Sequence, residues 1–340
     1  MKAHADIEGL AFAAMQGMML HEAEEHSLPI LEQTADRLQV QTEYGTFGIS
    51  DLGNMALRLH VASDRPGDLH VLRDSLVEHI AHVLPDLAKT ITWSDTIGTG
   101  QLPPNFQFAQ VVASRRLCSD FQRLTLQLSR ADGFDDRAIH FRFVLPAPGN
   151  TEPEWPQLAA NGATRWPKGD KALHRPVYSV RAQREAEIDV DVFQHAGGPA
   201  AEWATTVEPG AQVALLGPGG GGILNHTDVV LAGDETAYPA IARILDGLPV
   251  SARAYVFLLS HTGNHDYPLP HRDGTNLTMC NSSNFVTKTV GALADLPASF
   301  VWVGAESTHA AAFRQSNAVT ALPKSNRLIA SYWTRGKSAP

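Results

Sequence analysis

The apolar pattern of this chain changes character near Asp228, and that change limits the folds open to it. From residue 106 to about 225, short apolar runs recur between Gly, Pro and Asp, at 110–113, 123–128, 140–145, 177–181, 188–193 and 213–216. Short strands at that spacing predict an antiparallel barrel or sandwich, with one short helix near 200–205. After Asp228, strands and helices alternate: strand 228–232, helix 238–245, strands 254–260 and 300–303, helix 309–318. Such alternation predicts an α/β domain whose parallel sheet carries a ligand crevice at the strand carboxyl ends. Ahead of both, residues 1–97 read as a small α+β domain. Helical patterns cover 7–25 and 67–84, and segments 38–49 and 55–62 alternate. Gly and Pro mark 98–105 as a linker. The expected division is therefore 1–97, 104–225 and 226–340, in a chain of 340 residues.

Composition excludes some functions. A formal net charge of −9 argues against nucleic acid as a partner. No apolar run approaches the ~20 residues of a membrane-spanning helix, so no integral membrane segment is expected. The run 10–20 is flanked by Asp6, Glu8 and Glu22, which suits an amphipathic helix better than a leader peptide. Cys118 and Cys280 lie far apart and spell no metal or redox pair, so free thiols in a reducing, cytoplasmic setting are expected. "HEAEEH", from His21 to His26, places its histidines five apart rather than four. They do not share a helix face, and no metal is expected.

Four stretches carry candidate chemistry. "HRPVYSVR", 174–181, gathers Arg175, Tyr178, Ser179, Val180 and Arg181. A flavin needs an aromatic cover, a donor at its polar edge and cations at its pyrophosphate; an exposed strand with two surface arginines is the plainer reading of the same letters. In "HAGGPAAEWA", 195–204, His195, Gly197 and Gly198 precede Pro199, and Ala200, Ala201 and Trp203 follow in a helix-forming run. Proline fits a first helical position, and the free N–H groups there suit an anion; a plain turn into a surface helix is the alternative. "GPGGGG", 217–222, matches the dinucleotide fingerprint in letters only, because a strand follows it rather than a helix. "LAGDETAYPAIARIL", 231–245, predicts a strand–turn–helix with Gly233, Asp234, Glu235 and Thr236 at the crevice. That suits a nicotinamide nucleotide or any α/β crossover. Between 165 and 184, six cationic side chains stand against one acid, Asp170; the segment is either a positive site for an anionic ligand or a solvated loop.

Taken in order, "IHFRFVLP", "RPVYSVR", "DVDVFQHAGGPAAEWA", "GAQVALLGPGG", "LAGDETAYPAIARIL", "VWVGAE" and "SYWTRG" resemble the siderophore-interacting proteins, flavin-dependent ferric-siderophore reductases related to ferredoxin–NADP reductases. The resemblance covers roughly 106–336. It implies a multidomain chain: a small uncharacterised domain, an FAD-binding β-barrel and an α/β nicotinamide-type domain. It also implies FAD, with Tyr178 and Ser179 at the isoalloxazine, and His195, Gly198, Ala200 and Ala201 along its sugar and pyrophosphate. Tyr332 and Trp333 belong to the C-terminal segment that approaches the flavin. Two departures stand out. The family's R-x-Y-T arginine position is Pro176 here, which leaves Arg175 or Arg181 for the phosphate. Arg142 stands where relatives carry a lysine near the substrate pocket.

The expected function is a ferric-siderophore reductase. NADPH or NADH, with a ferredoxin as the other donor, would reduce FAD, which passes electrons to Fe(III) in an anionic siderophore. Arg142, Lys168 and Lys171 are the candidates for docking that complex. The rivals are a general flavin reductase and a non-catalytic ferric-siderophore carrier.

Overall fold

The computed structural model describes residues 1–25, 28–295 and 300–336, so His26 of the "HEAEEH" stretch lies outside the described residues. The chain forms two compact units. One comprises Met1–Phe106 with Pro146–Leu173, the other Gln107–Leu145 with His174–Pro340.

The first unit is built on a five-stranded antiparallel sheet, in the order Lys2–Glu8, Ala56–Ala62, Gly45–Gly53, Arg37–Thr42, Ile30–Gln33. Helices Phe12–Glu25 and Pro66–Val83 cover one face, where Ile49, Leu57, Leu59, Met15, Leu69 and Ile80 are buried together. The helical pattern expected over 7–25 starts too early. Residues 2–8 form an edge strand in which Ala3, Ala5 and Ile7 alternate with exposed neighbours. Two alanines are a weak period-2 signal, easily absorbed into the helix beside them. The segment 146–173, assigned above to the barrel, instead packs in this unit. Asn161 donates to Ala88 O at 2.9 Å, Trp93 Nε1 donates to Asn161 O at 2.9 Å, and Thr164 bonds the Asp74 carboxylate.

The second unit holds two sheets. Seven antiparallel strands run in the order Val177–Ser179, His140–Val144, Gln212–Gly219, Phe106–Cys118, Phe121–Leu128, Glu187–Phe193, Ala182–Arg184. The two outermost strands are consecutive in sequence, joined only by Val180 and Arg181. Val180 N–H donates to Ile139 O and Arg181 N–H to Asp189 O, both at 2.8 Å. This link closes the sheet into a barrel around Leu124, Leu126, Phe141, Phe143, Val190 and Leu215.

The other sheet is parallel, in the order Thr275–Cys280, Arg253–Leu259, Asp228–Asp234, Phe300–Glu306, Arg327–Trp333. Numbered within this domain, the order is 3-2-1-4-5, so the crossovers reverse between Asp228–Asp234 and Phe300–Glu306. A crevice opens at the carboxyl ends beside such a reversal. The helix expected over 309–318 spans Ser307–Gln315, because Glu306 caps it two residues earlier, and a separate turn Asn317–Thr320 follows Ser316. Strand Thr275–Cys280 escaped the sequence pattern, since its polar residues face an edge.

Candidate functional site

The predicted flavin strand lies where the barrel meets the parallel sheet. Val177, Tyr178 and Ser179 pair with Arg142, Phe141 and His140. Tyr178 packs edge-on against Phe143, ring centroids 5.2 Å apart, and burial pushes its phenol pKa up. Ser179 is buried, and its Oγ lies 3.1 Å from His140 Nδ1. Across the ring, His140 Nε2 lies 3.3 Å from the Tyr332 hydroxyl. Tyr332 comes from the edge strand of the parallel sheet. It packs on Trp302, and Gly304 leaves the space it needs: a Cβ there would come within 3.0 Å of the Tyr332 ring.

His140 is the functional candidate that the sequence did not reveal. It is half-buried, and burial of its ring lowers its pKa to about 4. At neutral pH it therefore carries one N–H. If Tyr332 donates to Nε2, Nδ1–H donates to Ser179, and the serine proton is available elsewhere. If Nε2–H donates to Tyr332, Ser179 donates to Nδ1 and can only accept from a third group. The three side chains thus share one hydrogen-bond polarity. The glycine-rich turn seals this corner. Gly219 pairs with His140, and Gly220, at φ +74°, sits where a Cβ would come 2.7 Å from the imidazole.

The second element is the helix Pro199–Thr206, with Gly198 at its N-cap and Pro199 at its first position. Helix geometry leaves the Ala200 and Ala201 N–H groups without an intrahelical acceptor. Gly197 is at φ +76°, and a Cβ on Gly198 would come 2.5 Å from the His195 ring. Trp203 faces inward on Phe143, at 5.2 Å. Val180 contributes no exposed side chain: it is core, and its carbonyl accepts from Arg243. Arg181 reaches Asp246 at 2.7 Å, while its Nε is buried without a partner. Arg142 donates to the Arg175 carbonyl at 2.9 Å.

Lys168 and Lys171 belong to the first unit, where Lys171 pairs with Glu154; in the second, Arg184 pairs with Asp189 at 2.8 Å.

At the carboxyl ends of the parallel strands, three carboxylates are buried: Asp234, Glu235 and Glu306. Gly233 is needed for packing, since a Cβ would come 2.6 Å from that of Ala237. Asp234 Oδ1 accepts from Thr236 N and Oγ1. Its Oδ2 accepts from Glu306 N at 2.7 Å and Trp333 Nε1 at 2.9 Å. Burial raises its pKa. Glu235 is also pushed up by burial, but hydrogen bonds led by His261 outweigh this and hold it below its ordinary value. The His261 imidazole in turn gains affinity for its proton from Glu235, 2.8 Å away. The turn at the crevice thus spends Thr236 N–H on Asp234.

Glu306 follows the same logic more strongly. Burial opposes its charge, yet hydrogen bonds from Thr308 Oγ1 and N, Ser307 Oγ and Arg335 N hold its pKa at about 2, against an ordinary 4.5. A depressed carboxyl pKa contributes stability above the unfolded value, and that contribution is lost as pH falls toward the folded one. Between about pH 4.5 and 2, the wild type should lose stability more steeply than Glu306→Gln. Urea midpoints at several pH values test this; parallel curves would remove Glu306 as the cause.

Residues 110–222 match the siderophore-interacting FAD-binding domain, and 226–336 match the siderophore-interacting protein domain. The ferric vibriobactin reductase ViuB of Vibrio cholerae is 32% identical over 254 residues, covering 67% of this chain and 89% of that protein. The NADPH-dependent ferric-chelate reductase of Escherichia coli is 27% identical, covering 59% and 82%. A siderophore utilization protein from T. fusca superposes with a TM-score of 0.58 at 25% identity, covering 71% of this chain and 98% of that one. With two consecutive domains matched across both sheets of the second unit, the chain belongs to the siderophore-interacting protein family.

Proposed function

We propose that the protein is an FAD-dependent ferric-siderophore reductase, taking electrons from NADPH or NADH and releasing Fe(II) from an anionic chelator. The observation that carries this reading is the convergence of Tyr178, Ser179, His140 and Tyr332 where the FAD-binding barrel meets the parallel sheet. The relatives named as ferric reductases support it.

The residues present fit FAD. Gly197 and Gly198 add no side chain of their own at the mouth of the Pro199–Thr206 helix, where the His195 ring lies against Gly198; its first N–H groups suit a pyrophosphate, and the buried Arg181 Nε lacks an acceptor. FAD, when bound, would take one hydride, an electron pair, from a nicotinamide and yield those two electrons singly, as reduction of ferric iron requires. The chain's task is placement and charge. Tyr178 covers an apolar ring. Ser179, its proton directed by His140 and Tyr332, meets a polar edge as donor or acceptor. Arg175 and Arg181 are the candidates for phosphate; His195, Gly198, Ala200 and Ala201 line the sugar and pyrophosphate. Trp333, held by Asp234, stands beside the nicotinamide crevice of Gly233 to Thr236. In the second unit Arg142 is the candidate for docking the anionic ferric complex; Lys168 and Lys171, in the first unit, are candidates in their own right. Hard oxygen ligands hold Fe(III) better than Fe(II), so reduction frees the metal. The free thiols Cys118 and Cys280 suit a cytoplasmic setting.

Visible absorbance under anaerobic conditions tests the reading. NADPH or NADH should bleach the flavin, and a ferric siderophore with a ferrous trap should restore it as Fe(II) appears. Oxidised flavin that neither nucleotide bleaches but a reduced ferredoxin does would identify the other donor. A protein that cannot be loaded with FAD would overturn the reading.

A further inference from the structure

We propose that the open face of the N-terminal sheet holds a second binding site, for a compact multivalent oxyanion. One face of this sheet lies under two helices; the other carries a cavity of about 280 Å³. The strand register explains its floor. His4, His60, Gly48 and Gln39 form one row across four strands. Gly48 contributes no side chain to that row, which leaves a gap between His60 and Gln39. It cannot be replaced cheaply, because a Cβ would come 2.3 Å from Leu38 O.

The lining is one-sided in charge. Lys2, His4, Arg37 and His60 border the cavity, and no carboxylate does. In a chain of net charge −9 that is a local inversion of sign. Asp6, on the His4 strand, forms a two-point pair with Arg58, and Glu32 lies 3.2 Å from Arg37, so Arg37 enters the site from an exposed ion pair. His60 Nε2 lies 2.8 Å from Ser50 Oγ, which leaves Nδ1 as the ring's other polar atom. Burial, then Arg37, Arg58 and His4, hold the His60 proton affinity down, with Asp6 alone opposing them. An anion in the cavity would relieve that repulsion and accept from the imidazolium. A guanidinium, an ammonium and two imidazoles around so small a space suit a phosphate or a polycarboxylate.

This site involves no residue of the flavin junction, so it stands or falls separately. NMR titration of the His60 and His4 rings in the full chain tests it, with phosphate, citrate or sodium chloride at matched ionic strength. Phosphate or citrate should raise the His60 pKa by about half a unit or more beyond the chloride control. A response to phosphate alone would support a phosphate-bearing ligand, and one to citrate alone a carboxylate ligand. Arg37→Gln and Lys2→Gln, both surface changes, should each weaken the response about tenfold in apparent affinity. A shift no larger than with chloride, or one unchanged in both variants, would overturn the proposal.

Discussion

Asp234→Ala is expected to cost roughly 2–4 kcal/mol of folding stability, on the scale of ~1–3 kcal/mol for each buried donor left without an acceptor. Asp234 is fully buried and takes four hydrogen bonds from Thr236 N and Oγ1, Glu306 N and Trp333 Nε1. Alanine would strand the Glu306 N–H, which is buried, and release the Trp333 indole. Burial already works against the Asp234 charge, which offsets part of the loss. Asparagine separates the two effects. It keeps one acceptor oxygen but turns an NH2 toward donors on the other side, so an intermediate loss is expected. Urea midpoints of the three proteins decide the matter. An alanine variant within about 0.5 kcal/mol of wild type, the ordinary scatter of surface changes, would mean that this carboxylate does not organise the crevice.

Ser179→Ala should lower kcat for ferric-chelate reduction about 100-fold with little change in KM, the scale seen when one preorganised donor is removed from a reacting centre. The hydroxyl is buried, and its hydrogen-bond sense is tied to that of His140, as that of His140 is to Tyr332. His140→Phe keeps a flat ring but removes both nitrogens, so a smaller loss of about tenfold is expected, within the range for one proton-handling group. Stopped-flow bleaching of the flavin by NADPH would separate this step from iron release. Wild-type bleaching rates in Ser179→Ala would take the serine away from the flavin edge.

Much of the architecture was legible in local pattern. The change from short alternating runs to strand–helix alternation separates barrel from parallel sheet, and Pro199 marks a helix start. Strand Asp228–Asp234, not a helix, follows "GPGGGG", so those glycines form no dinucleotide fingerprint. These features are legible because burial of one strand face, or of one helix stripe, repeats within a few residues.

The chemistry of the junction was not legible in the same way. His140 meets Ser179 across 39 residues and Tyr332 across 192. Barrel closure through Val180 and Arg181 depends on which strands end side by side. The packing of 146–173 in the first unit, and the pairing of Lys171 with Glu154 and Arg184 with Asp189, were not legible in the letters of the charge run either. Periodic burial is a short-range property, and the order of side chains records it. Which donors and charges meet depends on closing long loops, and those contacts exist only once the sheets have formed.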